Sequence, residues 1–181
     1  QTTKTVTRKV TITTPDGKST TTTQTATFTR NGETNEVTGE TTFTDWTLKN
    51  NGWTKIDVPS VPGYNPSNSE VPAVNVTPDT KSKDVDITYT ANGQTQVINY
   101  VEGNGKTVKS DKVTGKTGDT VQIKTNVPDH YELVPGQQIP DTVKLTNNST
   151  PITVKVQPKV DPITDPAELH KTITRTITIN I

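Results

Sequence analysis

Apolar residues and threonine alternate along much of this chain, and that period of two constrains the fold more than any other feature. In Lys4 to Ile12, Val6, Val10 and Ile12 fall on one face of an extended strand and Thr5, Thr7 and Thr11 on the other. The same alternation turns Ala26 and Phe28 inward in the Thr-rich stretch Lys18 to Arg30, and it puts Val85, Ile87 and Tyr89 in phase. No segment repeats apolar residues at helical spacing, so the expected class is mainly β. A short helix between Asp45 and Lys55 is the most helix the pattern allows, which makes the chain α+β at most. Threonine supplies roughly a fifth of the residues, far above ordinary usage. It is β-branched yet tolerates water, which suits the solvent face of a strand. Hydrophobic residues make up 27% and aromatics 4% of 181 residues, too few to fill one large core. Two small, thin β domains are the expectation. Arg8 shares the apolar face of its strand and is expected at the rim, its stem covering apolar surface and its charge in water.

Turn residues punctuate these strands. Pro15-Asp16-Gly17, Asn31-Gly32 and Asn50-Asn51-Gly52 read as tight turns, and Val61-Pro62-Gly63-Tyr64 as a rigid corner. At Ala91-Asn92-Gly93 the order of landmarks starts again. Val61-Pro62 is answered by Val127-Pro128, Val71-Pro72 by Ile139-Pro140, and Val85 by Ile152; the separations are 127 − 61 = 66, 139 − 71 = 68 and 152 − 85 = 67. Two diverged copies of one small module are the simplest account. A longer repeat lies over the shorter one. Lys4-Thr5-Val6-Thr7-Arg8 recurs as Lys171-Thr172-Ile173-Thr174-Arg175, at a spacing of 171 − 4 = 167. Pro158, Pro162 and Pro166 space a stiff linker before it. The reading is therefore a first domain over residues 1–90, a second over 91–158, and a linker with the first strand of a further repeat over 159–181. Roughly ten-residue strands make each module about 30–40 Å long, so the two are expected in an elongated arrangement. The strand at Lys171 to Ile181, with Ile173, Ile177, Ile179 and Ile181 on one face, is expected to pair with a sheet edge.

Several functions are excluded. The net charge is zero, from 19 basic and 19 acidic residues, so the basic footprint that nucleic acid requires is missing. Apolar runs are a few residues long, which excludes membrane insertion by a helix. There is no Cys, so thiolate metal sites and thiol catalysis are absent together. The two histidines, His130 and His170, lie some forty residues apart, neither has the neighbours that a nucleophile-base arrangement requires, and no Gly-x-Ser-x-Gly elbow occurs. Gly103-Asn104-Gly105-Lys106-Thr107 lacks the spacing of a phosphate loop and precedes a strand. The chain reads as a non-enzyme without a cofactor. Loop aspartates such as Asp79 and Asp84 would hold at most a weak structural calcium.

The motifs resemble a family. Arg8-Lys9-Val10-Thr11-Ile12 with Pro15-Asp16-Gly17-Lys18, Val37-Thr38-Gly39-Glu40, Thr44-Asp45-Trp46-Thr47, Val61-Pro62-Gly63-Tyr64 and Ile87-Thr88-Tyr89 are similar to the B2-type domain of lactobacillar mucus-binding proteins. Residues from Val97 to Val156 resemble the MucBP domain that alternates with it, through Ile98-Asn99-Tyr100, Gly105-Lys106-Thr107-Val108 and Thr114-Gly115-Lys116-Thr117-Gly118. The resemblance implies two tandem ubiquitin-like β-grasp modules. It implies a tandem array on an extracellular, bacterial cell surface, anchored to the cell wall outside these residues. It also implies adhesion to mucin or other host glycoproteins, with immunoglobulins as a further partner and neighbouring repeats of the same chain beside it. One departure is His130, which interrupts the family's Gly-Tyr corner to give Pro128-Asp129-His130-Tyr131. No family motif fixes the glycan-contacting residues.

Sugar binding needs exposed aromatic faces beside hydrogen-bonding side chains. Trp46, Trp53, Tyr64, Tyr100 and Tyr131 are the candidates. Trp46 and Tyr64, inside the family-like motifs, are assigned to the core. Trp53, which follows the Asn50-Asn51-Gly52 turn, is the candidate ligand contact. Two functions fit these observations: a multivalent adhesin repeat, weak per module, or a structural stalk that projects a separate adhesive region.

Overall fold

The structure is a computed structural model, and it describes residues 1–160. The expectations for the linker beyond Val160 and for the strand from Lys171 to Ile181 lie outside the described residues. Every element within them is a strand, so the described residues are all-β. The chain divides into two compact units. One is residues 1–94 with 115–119 and 144–148; the other holds, among the described residues, 95–114, 120–143 and 149–160.

The first unit is built on a long hairpin. Strands β1 (Thr2–Thr13) and β2 (Ser19–Arg30) pair antiparallel along their whole length, from Thr2↔Arg30 to Thr13↔Ser19. The turn between them closes as its residues dictate: Gly17, at φ 86°, donates its N–H to Thr14 O at 2.9 Å. Short strands β3 (Gly32–Thr34), β4 (Thr41–Phe43), β5 (Thr47–Leu48), β6 (Ile56–Asp57), β7 (Tyr64–Pro66) and β8 (Glu70–Val71) follow. Then come β9 (Lys83–Ile87) and β10 (Tyr89–Ala91). β9 runs parallel to β1, with Val10↔Val85 and Ile12↔Ile87, so the main sheet has the order β5-β2-β1-β9. A hairpin whose first strand is flanked in parallel by a late strand is the β-grasp arrangement. Val6, Ala26, Phe28, Trp53 and Val76 form one buried cluster, and Val10, Val71 and Ile87 form another. On the opposite face the hydroxyls of Thr7 and Thr25, Thr11 and Thr21, and Thr13 and Ser19 meet across the hairpin at 2.9–3.4 Å. The alternation read from the sequence is thus the division between core and solvent.

Asn31-Gly32 does not turn. Gly32 opens β3 and faces Phe43 of β4. A Cβ at Gly32 would stand 2.8 Å from Phe43 Cε1, so the glycine leaves room for the ring rather than for a bend. The chain reverses instead over Asn35–Glu40, where Gly39 N–H donates to Asn35 O and Asn35 N–H to Glu40 O, each at 2.7 Å.

The second unit repeats the plan. Its strands are β11 (Gly93–Val101), β12 (Thr107–Lys116), β13 (Thr120–Gln122), β14 (Tyr131–Leu133), β15 (Thr142–Lys144) and β16 (Ile152–Pro158), with sheet order β12-β11-β16-β14. β11 pairs parallel with β16, through Ile98↔Ile152 and Tyr100↔Val154. Ile98, Tyr100, Ile123, Val154 and Val156 form its core. The repeat read from the sequence is also a repeat of register. β7 faces β10 as Tyr64↔Ala91, and β14 faces β16 as Tyr131↔Pro158; 131 − 64 and 158 − 91 both equal 67.

One difference between the two units lies between the hairpin and its parallel partner. From Ile12 to its parallel neighbour Ile87 the first unit spans 87 − 12 = 75 positions; from Tyr100 to Val154 the second spans 154 − 100 = 54, which is 21 fewer. In the second copy of the plan, residues 117–119 connect the hairpin to the next strand. In the first, residues 31–55 do so, and they include β3, β4 and β5. The excursion adds surface that the shared plan does not require.

Candidate functional site

Trp53 is not on the surface. It is 2% exposed, packs with Val6, Ala26 and Phe28, and donates its indole N–H to Val6 O at 3.1 Å. The expectation that the residue after the Asn50 turn is exposed is therefore corrected. The turn is real, because Asn50 Oδ1 accepts the N–H of Thr27 and of Gly52 at 3.2 and 3.1 Å. Those bonds pin the turn against β2, and the next residue enters the core instead of solvent. An indole with both faces packed offers none to a sugar.

Arg8 is likewise deeper than its expected rim position. It is 1% exposed and lies between Val6 and Val10 on the inward face of β1. Its Nε and Nη2 donate to Gln24 Oε1 at 3.1 and 2.6 Å, Nη1 to Pro72 O at 2.8 Å, and Nη2 also to Thr54 O at 2.9 Å. The guanidinium also lies 5.3 Å from the centre of the Trp53 ring. Burial holds its pKa below the ordinary arginine value. The recess beside it has a volume of about 140 Å³, below the range of about 300–1,000 Å³ typical of small-molecule pockets. A larger recess in the second unit, about 320 Å³, is lined by Val101, Val134 and Val156 with Glu102 and Lys155, and offers no aromatic face. Gln96, the other buried polar residue among the described residues, is 2% exposed and occupies the corresponding place in the second unit: 100 − 12 and 96 − 8 both equal 88. Its Nε2 donates to Thr150 O at 2.8 Å and to Val97 O at 2.9 Å.

The remaining aromatic candidates divide. Tyr100 is buried in the second core, where its hydroxyl donates to Asp111 Oδ2 at 3.0 Å and accepts the Asn126 N–H at 2.7 Å. Tyr64 and Tyr131 are half-buried, and the Tyr131 hydroxyl is bonded to Glu102, which raises its pKa. His130 keeps the corner it interrupts. It adopts φ 71° where Gly63 adopts φ 84°, and in both corners the following tyrosine N–H bonds back at 3.1 Å, to Pro128 O and to Val61 O.

The aromatic surface lies on the excursion. Arg30 ends β2, and its Cζ stands over the ring of Phe43 at 3.9 Å and over that of Trp46 at 4.5 Å. Trp46 is partly buried against the first core and so only half fulfils its core assignment. Phe43 is 50% exposed, with Leu48 also exposed on the same excursion. Sequence reasoning named Trp46 but passed over Phe43 and Arg30. The available signal was the run Thr41-Thr42-Phe43-Thr44-Asp45, in which no apolar residue stands two positions from the ring. A strand with a lone large ring and no apolar partner has no buried face of its own.

Set beside known proteins, residues 1–93 match the model of the Muc B2-like domain. No curated protein matches the chain. Among solved structures, Mub-RV is 26% identical over 50% of this chain and 54% of that one, with a TM-score of 0.43. The chain thus spans about half the length of Mub-RV. The mucin-binding domain of Spr1345 from Streptococcus pneumoniae is 26% identical over 50% of this chain and 92% of that one, at a TM-score of 0.43. The MucBP domain of an adhesion protein from Pediococcus pentosaceus is 31% identical over 49% and 98%, at 0.37. Since the domain model matches 93 of the 181 residues, more than half, the chain belongs to the Muc B2-like family of mucus-binding repeats.

Proposed function

We propose that this chain is a non-catalytic repeat of a bacterial surface adhesin and binds mucin or related host glycoproteins without a cofactor. The observation that carries the reading is the family match over residues 1–93. Its second half serves as the MucBP-type partner, with domains over 1–90 and 91–158 and a linker from 159. The shared register of the two sheets supports that division. Binding is weak per module. An array multiplies it, because a second contact on the same mucin chain is made at the effective concentration set by the linker. The array stands outside the cell, attached to the wall through residues beyond these.

The test is retention on immobilised mucin. The chain is expected to bind in the micromolar to millimolar range, about 4–8 kcal/mol. A tandem dimer is expected to bind at least about tenfold more tightly. Immobilised immunoglobulin is run in parallel for the further partner. No retention of monomer or tandem dimer would establish the stalk reading, in which the repeat projects an adhesive region carried elsewhere.

A further inference from the structure

Two arginines lie on the inward face of the β1–β2 hairpin and use their donors in opposite ways. Arg8 directs its guanidinium at three oxygens of its own unit. Arg30 follows Ala26 and Phe28 on the same face of β2, at the strand's end. It is positioned by rings rather than by oxygens. Among the described residues its side chain makes one hydrogen bond, a long one from Nε to Thr2 Oγ1 at 3.4 Å, and no carboxylate forms an ion pair with it. Both Nη groups, with four N–H donors, therefore remain available. The two rings hold the guanidinium in place, which reduces the side-chain entropy lost when it captures a ligand.

The nearby charges favour an anion. Lys4 stands on the same face, and its ion pair with Asp79 is 3.9 Å long with the Asp79 side chain 99% exposed, so it neutralises little. Glu33 pairs with Thr42, one step out of phase with the Gly32↔Phe43 pair, and so points to the other side of the β3–β4 hairpin. There, with Glu40, it lines a separate polar recess. Asp45 is exposed and forms no ion pair with Arg30.

We infer that Arg30 is the anchor of a saccharide site and takes the anionic group of an acidic sugar, a carboxylate or a sulfate ester. The exposed ring of Phe43 meets the sugar's C–H surface. A planar, pre-positioned fork matches either group through two parallel N–H···O bonds. The site deepens the adhesin reading and rests on it for the saccharide. Its rings, Phe43 and Trp46, belong to the excursion, the part of the first unit that the second lacks.

The experiment is two-dimensional NMR of the ¹⁵N-labelled chain, following the Arg30 Nε–H and both indole N–H signals. The titrants are glucuronate, galactose 6-sulfate and neutral galactose. One or both acidic sugars are expected to move the Arg30 and Trp46 signals, with a dissociation constant on the order of 1 mM. A response to glucuronate alone assigns a carboxylate, and one to galactose 6-sulfate alone a sulfate ester. The Trp53 indole, buried and bonded to Val6 O, is the internal control for folding and should not move. Arg30→Lys keeps the charge but loses the fork, and is expected to bind about tenfold more weakly with the Trp53 signal unchanged. Equal shifts with galactose, no shift with either acidic sugar, or an Arg30→Lys titration equal to the parent's would each overturn the site. The two readings separate cleanly. Mucin retention that Arg30→Lys leaves intact removes the site and keeps the adhesin; acidic-sugar binding without mucin retention does the reverse.

Discussion

Arg8 brings a full charge into a small core with no carboxylate opposite, and the cost of removing that charge from water is met by carbonyl and amide oxygens. Truncating it would leave Gln24 Oε1 and Pro72 O without their donor and open a void between the two first-unit clusters. Arg8→Ala is therefore expected to destabilise the first unit by about 3 kcal/mol or more, read as a lower urea midpoint. Arg8→Lys should lose less, since it keeps one donor but not the fork. A loss under about 1 kcal/mol for the alanine variant would show that the guanidinium is not holding the Thr54 and Pro72 segments. That Arg8 shared an apolar face was legible in the sequence. Its depth was not, because two of the three oxygens that receive it lie 46 and 64 residues away along the chain. The same holds for Trp53, whose hydrogen-bond partner Val6 is 47 residues distant.

At the scale of the element, the corner before each half-buried tyrosine shows how a backbone requirement outlives the residue suited to it. Gly63 takes the left-handed conformation at little cost, whereas His130 takes it against its own Cβ. What holds His130 there includes the bond from Lys159 N–H to its carbonyl at 2.7 Å and the Tyr131 hydroxyl bond to Glu102. His130→Gly is expected to stabilise the second unit by about 0.5–1 kcal/mol, the strain removed exceeding the entropy that glycine adds to the unfolded chain. Chemical denaturation followed on the NMR signals of second-unit residues tests this, and a destabilised variant would mean that the imidazole makes a contact worth more than the strain. The excursion teaches the converse. Asn31-Gly32 has turn chemistry, yet it lies in a strand because Phe43 crosses the glycine. Local preference yields there to a single cross-strand ring.

Across the molecule, both units place one polar side chain at the same point of the first strand, Arg8 in one and Gln96 in the other, and both close by parallel pairing of the first strand with a late one. The second unit carries its own pH sensitivity. Burial, and then the bonded Asp111 carboxylate, hold the Tyr100 phenol above its ordinary value, while the Asn126 N–H pulls the other way. A folded pKa raised above the unfolded value of about 10 means that the folded state keeps a proton the unfolded state releases. The resulting stability is complete below pH of about 10 and is lost as pH rises through the folded value. Alkaline titration of phenolate absorbance should show Tyr100 ionising late, beside Tyr131, whose bond to Glu102 raises it as well, with Tyr100 ionisation accompanied by unfolding of the second unit. Asp111→Asn should bring that step to lower pH, and an unchanged step would remove Asp111 from the account. By itself, the sequence determined the strand faces, most turns, the 67-residue repeat and the family, because each rests on local spacing or on the chain's likeness to itself. Only the tertiary structure decided depth: Trp53 and Arg8 inside, Phe43 and Arg30 at the surface. A period of two states which side of a strand a residue takes. What covers that side is supplied by segments tens of residues away, and their arrival is not written in the strand.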